Sequence, residues 1–277
     1  MKLIIHIGLH KTGTTSLQHS CFSGLETFDF SDRSFELGYN SIYDLLCRYV
    51  FYSQDSVFDS LERKLKCSGK NVLISEEWLS SSYNGFQGYG VASWRSNLTR
   101  LSMFASRSTV ETVVVITFRD PVAGALSHFF EFKKNVVSFR NCNFDDFCKS
   151  EEFGVYNYEE LLIFLRGLKI QPVIIKFDKD NISDFEQEWS QLLGEKIILS
   201  ENLNSNYIVD NQEFFEFLPT FVIYLRKIAL IRRCARILKK WFPALIRFFY
   251  KRGTIHRDVN LPNDFLLESK RYYYEEM

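Results

Sequence analysis

Short apolar runs, each bounded by polar or turn-forming residues, alternate along the chain with longer segments of helical periodicity. Runs of this length predict buried β-strands, and apolar residues spaced three to four positions apart predict the helices between them. Strands that alternate with helices favour a parallel sheet with helices on both faces. The predicted strands are residues 3–7, 71–75, 112–118 and 172–177, and the predicted helices are residues 15–22, 41–66, 91–106, 121–134, 156–168 and 183–193.

The pattern changes in kind after about residue 216. Residues 217–257 contain eleven lysines and arginines and no acidic residue, with large apolar residues between them. This composition predicts a basic amphipathic helical region, which Pro243 divides into two helices. Because no low-complexity linker precedes it, we take residues 1–277 as one domain that includes this region. Two interpretations stay open: the region lies on an anionic membrane surface, or it caps the active site.

Composition narrows the class of protein. The 277 residues have a formal net charge of zero and 46% hydrophobic residues, so we expect a sizeable core and no nucleic-acid partner. The six cysteines form no CxxC pair, which predicts free thiols in a reducing compartment and no metal site. The short apolar stretch after Met1 does not suit a signal peptide, and no apolar run is long enough to span a membrane. The predicted location is cytoplasmic, with peripheral contact at the inner face of the membrane as the alternative.

A glycine- and hydroxyl-rich segment joins the first predicted strand to the first predicted helix. Residues 8–16 read GLHKTGTTS, which has the glycine spacing of the nucleotide-binding P-loop. Thr14 stands in place of that motif's lysine, and Lys11 lies inside the loop instead. A loop between a strand and a helix N-terminus presents backbone amides to an anion, so a phosphate or sulfate-like group is the expected ligand. The residues assigned to it are Lys11, Thr12, Gly13, Thr14, Thr15 and Ser16.

A second phosphate-binding pattern follows about a hundred residues later. The predicted strand 112–118 leads into Arg119, Pro121 then begins a helix, and Ser127 lies two turns along it. A guanidinium offers a planar pair of donors, and a hydroxyl on the following helix adds another. Arg119 and Ser127 are therefore predicted to hold a second phosphate.

Together the two segments resemble the donor site of the sulfotransferases that use 3′-phosphoadenosine 5′-phosphosulfate (PAPS). Residues 11–15, KTGTT, are similar to that family's 5′-phosphosulfate loop, and residues 6–18 are similar to its bacterial members in particular. Residues 119–127 are similar to its 3′-phosphate site. The clear resemblance covers residues 1–20 and 112–130. A weaker similarity to a segment that touches the 3′-phosphate covers Lys251, Arg252 and Gly253.

The resemblance implies a three-layer, P-loop-like sulfotransferase fold and a nucleotide-binding transferase. It implies that a sulfuryl group moves from PAPS to a hydroxyl or amine of a glycan or glycolipid, with release of adenosine 3′,5′-bisphosphate and without a metal. Lys11 is assigned to the charge that develops on the leaving phosphate. Two alternatives remain, a small-molecule kinase on a related fold and an inactive sulfotransferase-like module that binds glycans or membranes.

The base that deprotonates the acceptor has two carboxylate candidates. Glu76 and Glu77 directly follow the predicted strand 71–75, which places them at the carboxyl edge of the sheet beside the loop. Glu77 is preferred because the serine two residues before it resembles the pattern of the bacterial members. The alternative is that both glutamates are surface acids at a helix N-terminus, without a role in catalysis. His10 is a competing base, but its place within the loop favours a role in shaping the loop or in contacting the substrate. His6 alternates with apolar neighbours, which predicts a core histidine.

Overall fold

A computed structural model describes residues 1–9, 12–32, 40–82, 93–135, 142–178, 180–199, 213–216 and 251–254, and for 134–135 and the last two segments it describes the backbone alone. Within these residues the chain forms a five-stranded sheet, a two-stranded sheet and flanking helices. The strands of the large sheet are β1 (Lys2–Gly8), β2 (Phe28–Ser31), β3 (Asn71–Ser75), β4 (Glu111–Phe118) and β5 (Val173–Lys176). The α-helices are α1 (Thr14–Ser20), α2 (Ile42–Phe51), α3 (Phe58–Cys67), α4 (Trp94–Arg107), α5 (Pro121–Asn135), α6 (Phe144–Cys148), α7 (Tyr158–Gly167) and α8 (Ile182–Leu193).

All neighbouring strands of the large sheet run parallel, in the order β2–β3–β1–β4–β5. From the central β1 the chain first builds β2 and β3 on one side and then crosses to β4 and β5 on the other. The direction of building therefore reverses between β1 and β4. In an open parallel sheet, a crevice for ligands lies at the carboxyl ends of the strands at such a point.

Helices cover both faces of the sheet, so the predicted three-layer α/β architecture is confirmed. One face of β1 carries Leu3, Ile5 and Ile7, which belong to a core shared with α2 to α7. The opposite face carries Ile4, which belongs to a second core with α1 and α8. Because successive side chains of a strand point to opposite faces, a strand buried on both sides is apolar at nearly every position, as β1 is.

The structure contains two short elements that the sequence pattern did not predict, and it divides one predicted helix in two. The pattern does not reveal β2, with four residues, or α6, with five, because so few positions cannot display a period. The predicted helix 41–66 is two helices, α2 and α3. The chain breaks between them at Ser53, which has a φ of 52° and so cannot continue a right-handed helix.

Most of the basic region lies outside the described residues. Its four described residues, Lys251–Thr254, form strand β7, which pairs antiparallel with β6 (Glu213–Glu216), where the composition predicts helix. β-Branched Thr254 suits a strand better than a helix. Helices elsewhere in residues 217–257, and a single domain for the whole chain, stay predictions. In the part of the chain that the structure describes, no helix is long and apolar enough to cross a membrane.

Glu62 of α3 holds the turn between α4 and β4. Its carboxylate accepts hydrogen bonds from the Ser108 hydroxyl at 2.7 Å and from the amide and hydroxyl of Thr109 at 2.9 and 2.5 Å. Lys66 Nζ lies 3.3 Å from the same carboxylate. Partial burial acts to raise the pKa of Glu62, but the hydrogen bonds from Thr109 and Ser108 and the contact with Lys66 outweigh it and lower the pKa to about 2.

We expect Glu62→Gln to make the free energy of unfolding less dependent on pH in the acid range. A carboxylate with a lowered pKa stabilises the fold above its unfolded-state pKa of 4.5, and that stability is lost as the pH falls toward 2. Urea denaturation from about pH 7 to about pH 3 should show a smaller fall in the free energy of unfolding for this variant than for the parent. Glu159→Gln changes an exposed glutamate and should follow the parent. Identical profiles for all three proteins would contradict the role of Glu62.

Candidate functional site

Three strand ends meet at the carboxyl edge of the large sheet. β1 pairs in parallel with β3 on one side and with β4 on the other, where Gly8 lies opposite Thr117. The loop after Gly8, the pair Glu76–Glu77 and the turn at Arg119 therefore begin at neighbouring points. The structure thus brings together both predicted phosphate segments and the predicted carboxylates, at the crevice where the strand order reverses.

The loop after β1 joins α1 through Gly13. This residue has a φ of 77°, and its carbonyl accepts hydrogen bonds from the amides of Ser16 and Leu17 at 3.0 and 3.2 Å. A side chain here would be strained, because L-residues rarely adopt this conformation. It would also collide, since an added Cβ would lie 2.9 Å from the ring of Phe177, which follows β5. Phe177 is a part of the site that the sequence pattern does not indicate.

Two buried threonines hold the shape of the loop. The Thr12 hydroxyl donates to the Leu9 carbonyl at 2.7 Å and lies 3.3 Å from the Thr14 hydroxyl oxygen. Thr14 packs against Gly8, where an added Cβ would lie 2.5 Å from Thr14 Oγ1. The chain can therefore turn closely over the end of β1 only with glycine at that position.

The start of α1 offers donors to a ligand. Thr15 is exposed and Ser16 is half-buried. The amides of Thr14 and Thr15 are the first of the helix, and such amides have no carbonyl partner within it. His10 and Lys11 lie outside the described residues, so the roles assigned to them stay predictions.

Arg119 leaves β4 at the same edge, and its backbone is held on both sides. Its carbonyl accepts a hydrogen bond from the Tyr158 hydroxyl at 2.8 Å, and the Tyr158 ring stacks on Phe118 with centroids 3.9 Å apart. Asp120 Oδ1 accepts from the amide of Ala123 at 2.7 Å, which caps α5. The backbone that carries the half-buried Arg119 side chain is therefore held in place.

The first turns of α5 lie close to Arg119 because of Gly124. A Cβ added there would lie 2.9 Å from the ring of Tyr156 and 3.4 Å from the Arg119 side chain. Ser127 is half-buried one turn further along α5, and its contact with a phosphate stays a prediction. The next residue, His128, is fully buried with Nδ1 2.9 Å from the Tyr156 hydroxyl, and so belongs to the core.

The two carboxylate candidates have different surroundings. Glu76 is only 2% exposed, and its two oxygens accept hydrogen bonds from a backbone amide and from the Tyr43 hydroxyl. Glu77 is half-buried and begins the short 3₁₀ helix Glu77–Ser80, in which the Ser80 hydroxyl donates to the Gly8 carbonyl at 3.2 Å. The helix that carries Glu77 is thus attached to the end of β1. Glu77 is the more accessible carboxylate of the pair.

A chain of side-chain hydrogen bonds, which the sequence pattern does not predict, connects β3, β1 and β4 near this edge of the sheet. His6 is fully buried, with Nδ1 2.9 Å from Ser75 Oγ and Nε2 2.9 Å from Thr117 Oγ1. Gln18 of α1 donates to Ser75 Oγ at 3.0 Å. Burial lowers the pKa of His6 to about 3, while the negative charge of Glu77 acts in the opposite direction. The predicted core histidine is confirmed, and its ring is neutral at physiological pH.

Three further predicted residues cannot be related to this edge. Lys251, Arg252 and Gly253 belong to β7, of which only the backbone is described, so their contact with a 3′-phosphate stays a prediction. Among the residues that the structure describes, no group of three or more His, Cys, Asp or Glu side chains could hold a metal ion.

Comparison with known proteins gives a distant structural likeness and no family for this chain. The chain matches no protein-family model and no curated protein. Its structure is similar to that of a sulfotransferase from Alicyclobacillus acidocaldarius, with 13% sequence identity and a TM-score of 0.43 over 73% of this chain and 87% of that chain. A likeness this distant carries nothing about activity or residue roles. The class that the structure itself defines is an α/β protein with a five-stranded parallel sheet between two helical layers.

We predict that Gly13→Ala destabilises the protein more than Gly69→Ala does. The two glycines have nearly equal φ values, 77° and 76°, so both substitutions bear the cost of a left-handed side chain, about 1–2 kcal/mol. Only at Gly13 does the new Cβ meet another group, Phe177 at 2.9 Å, whereas nothing lies within 4 Å at Gly69. Urea denaturation measures both losses.

A double-mutant cycle tests the same contact. Phe177→Leu should cost less stability in the Gly13→Ala background than in the parent, because the smaller side chain relieves the collision. Equal losses for the two glycine variants, with no coupling to Phe177, would show that the ring does not constrain the loop.

Proposed function

We propose that the chain is a PAPS-dependent sulfotransferase that transfers a sulfuryl group to a hydroxyl or amine of a glycan or glycolipid and releases adenosine 3′,5′-bisphosphate. The observation that carries the proposal is that the two segments predicted to bind phosphate follow the neighbouring ends of β1 and β4. One such segment would suit many phosphorylated ligands. Two at one crevice suit a nucleotide that is phosphorylated at both its 5′ and its 3′ positions.

The residues present fit such a donor. Gly13 in its left-handed conformation, followed by the first amides of α1, suits the 5′-phosphosulfate. Arg119 suits the 3′-phosphate, because a guanidinium binds phosphate oxygens through two parallel hydrogen bonds and its backbone is held by Tyr158. Ser127 adds a hydroxyl from the helix that follows.

The transfer needs a proton acceptor and a stabilised leaving group. Glu77 takes the proton of the acceptor hydroxyl as the acceptor oxygen forms its bond to sulfur. The bond between sulfur and the 5′-phosphate oxygen breaks, and the electron pair stays on the phosphate. Lys11 and the loop amides stabilise that charge.

Glu77 is proposed as the base over Glu76 for a geometric reason. A base must reach the acceptor, and Glu76 is buried with both oxygens engaged, one of them by Tyr43. Glu77 is half-buried, and its helix is attached to Gly8 through Ser80, at the edge where the loop begins.

The acceptor is proposed from the resemblance and from the basic region. The eleven lysines and arginines of residues 217–257 suit either of two negatively charged partners. The two roles proposed for them are binding to anionic lipid at the inner face of the membrane, which suits a lipid-linked glycan, and capping of the active site over an acidic acceptor.

Adenosine 3′,5′-bisphosphate should bind the parent protein and raise its Tm, because a ligand that binds only the folded chain stabilises it. Arg119→Ala should weaken this binding about 10- to 100-fold, the scale of hydrogen bonds to a charged group. Isothermal titration calorimetry measures both affinities. Arg166→Ala, which changes an exposed arginine of α7, should bind as tightly as the parent.

The same measurement separates the alternatives. Thermal protection by Mg²⁺-ATP without protection by the bisphosphate would favour a kinase. No binding of the bisphosphate to the parent would refute the proposed function. Tight binding with no sulfuryl transfer to any hydroxyl or amine acceptor would favour an inactive binding module.

Glu77→Gln should bind the bisphosphate as the parent does but lose turnover by about 100-fold or more, because the carboxamide cannot accept a proton. Release of the bisphosphate from PAPS, with an acceptor that the parent uses, measures the loss. Glu76→Gln is the neighbouring comparison, and it should lower the Tm because Glu76 is buried and bonded to Tyr43. Unchanged turnover in Glu77→Gln would exclude Glu77 as the base.

A further inference from the structure

We propose that His6 is a positioning residue that sets the spacing between the two phosphate sites. The inference rests on the proposed function and deepens it, because it names what holds the two halves of the donor site at the correct distance. His6 is fully buried and acts through the strands it connects, so it does not touch the nucleotide.

His6 bridges the three central strands. It lies on β1, its Nδ1 is 2.9 Å from Ser75 Oγ on β3, and its Nε2 is 2.9 Å from Thr117 Oγ1 on β4. A neutral imidazole donates through one nitrogen and accepts through the other, and a hydroxyl can do either. Both bonds therefore form in either tautomer of the ring.

The bridge lies where the strands end. The pairs His6–Ser75 and Gly8–Thr117 are the final pairs of the β1–β3 and β1–β4 ladders. Ser75 directly precedes the two carboxylates, and Thr117 lies two residues before Arg119. The β1–β3 ladder thus ends at His6 itself, and the β1–β4 ladder ends at Thr117, the second partner of the His6 ring.

The ring and its partners are also tied to the helical layer. Trp189 of α8 packs edge-on against the His6 ring, with centroids 4.9 Å apart. Gln18 of α1 donates to both Ser75 Oγ and the Ser75 carbonyl, at 3.0 and 3.2 Å. Because α1 begins with the loop of the 5′ site, the bridge links that loop to β3 and β4.

The separation between the two proposed phosphate sites affects the affinity for a ligand that carries two phosphates. The nucleotide limits the distance between its own 5′ and 3′ phosphates, so both sites are filled at once only if the protein presents them at a separation within that range. When the separation is loose, adenosine 3′,5′-bisphosphate loses the benefit of the second contact. 5′-AMP, which uses one site, loses much less.

The test compares the affinities of these two nucleotides in Thr117→Val. Valine has nearly the shape of threonine but cannot bond to His6. The ratio of the bisphosphate affinity to the AMP affinity, from calorimetry, should fall by about five- to tenfold relative to the parent, the scale of one net hydrogen bond. Thr112→Val makes the same change on β4, where the hydroxyl bonds to the Val110 carbonyl, and should leave the ratio unchanged.

Two substitutions of His6 itself give an independent readout. Glutamine places its amide near Nε2 and can still bond to Thr117, whereas asparagine places its amide near Nδ1 and can bond only to Ser75. His6→Gln should therefore keep more of the affinity ratio than His6→Asn. A role in core stability alone would not produce this order.

The outcomes separate the inference from the function on which it rests. A parent that does not bind the bisphosphate overturns both. A parent that binds it, with Thr117→Val lowering the Tm but leaving the ratio unchanged, overturns the positioning role and leaves the proposed function standing. Should the His6 variants not fold, Thr117→Val and Thr117→Ser decide, since serine keeps the hydroxyl and should restore the ratio.

Discussion

The parallel register of β1 with its two neighbours is the constraint on which the candidate site depends. Because Gly8 lies opposite Thr117 and His6 opposite Ser75, the strands β1, β3 and β4 all end at the same edge of the sheet. A shift of one residue in this register would turn His6 to the other face of the sheet, where its side chain could not reach Ser75 or Thr117. The proposed donor site, the proposed base and the proposed positioning residue all require this one alignment.

The same alignment makes a polar layer tolerable inside an apolar sheet. His6, Ser75 and Thr117 are all buried, and an unpaired buried polar group is costly. Each of them is paired with another, and Gln18 adds a donor from the helical layer. A buried network that is satisfied in this way favours a single arrangement of its members, which suits a site proposed to hold two phosphates of one ligand.

The sequence predicts the large elements of the fold well, because they carry a clear period. The strands at residues 71–75 and 112–118 and the helix at 183–193 are found within a residue or so of their predicted limits. The short edge strand β2 could not be predicted, since four residues contain too little pattern. The order of the strands could not be read at all, because pairing depends on contacts between distant parts of the chain.

For the site, the linear pattern already identifies the chemical groups that are available: a glycine and threonine loop, an arginine at a strand end and two adjacent carboxylates. The different surroundings of those carboxylates appear only in the folded chain, because Tyr43, which engages Glu76, lies 33 positions away. The tertiary structure alone disclosed the bridge at His6, whose partners are 69 and 111 positions away. A local pattern records which face of a strand is buried, whereas a hydrogen bond between strands exists only once their register is set.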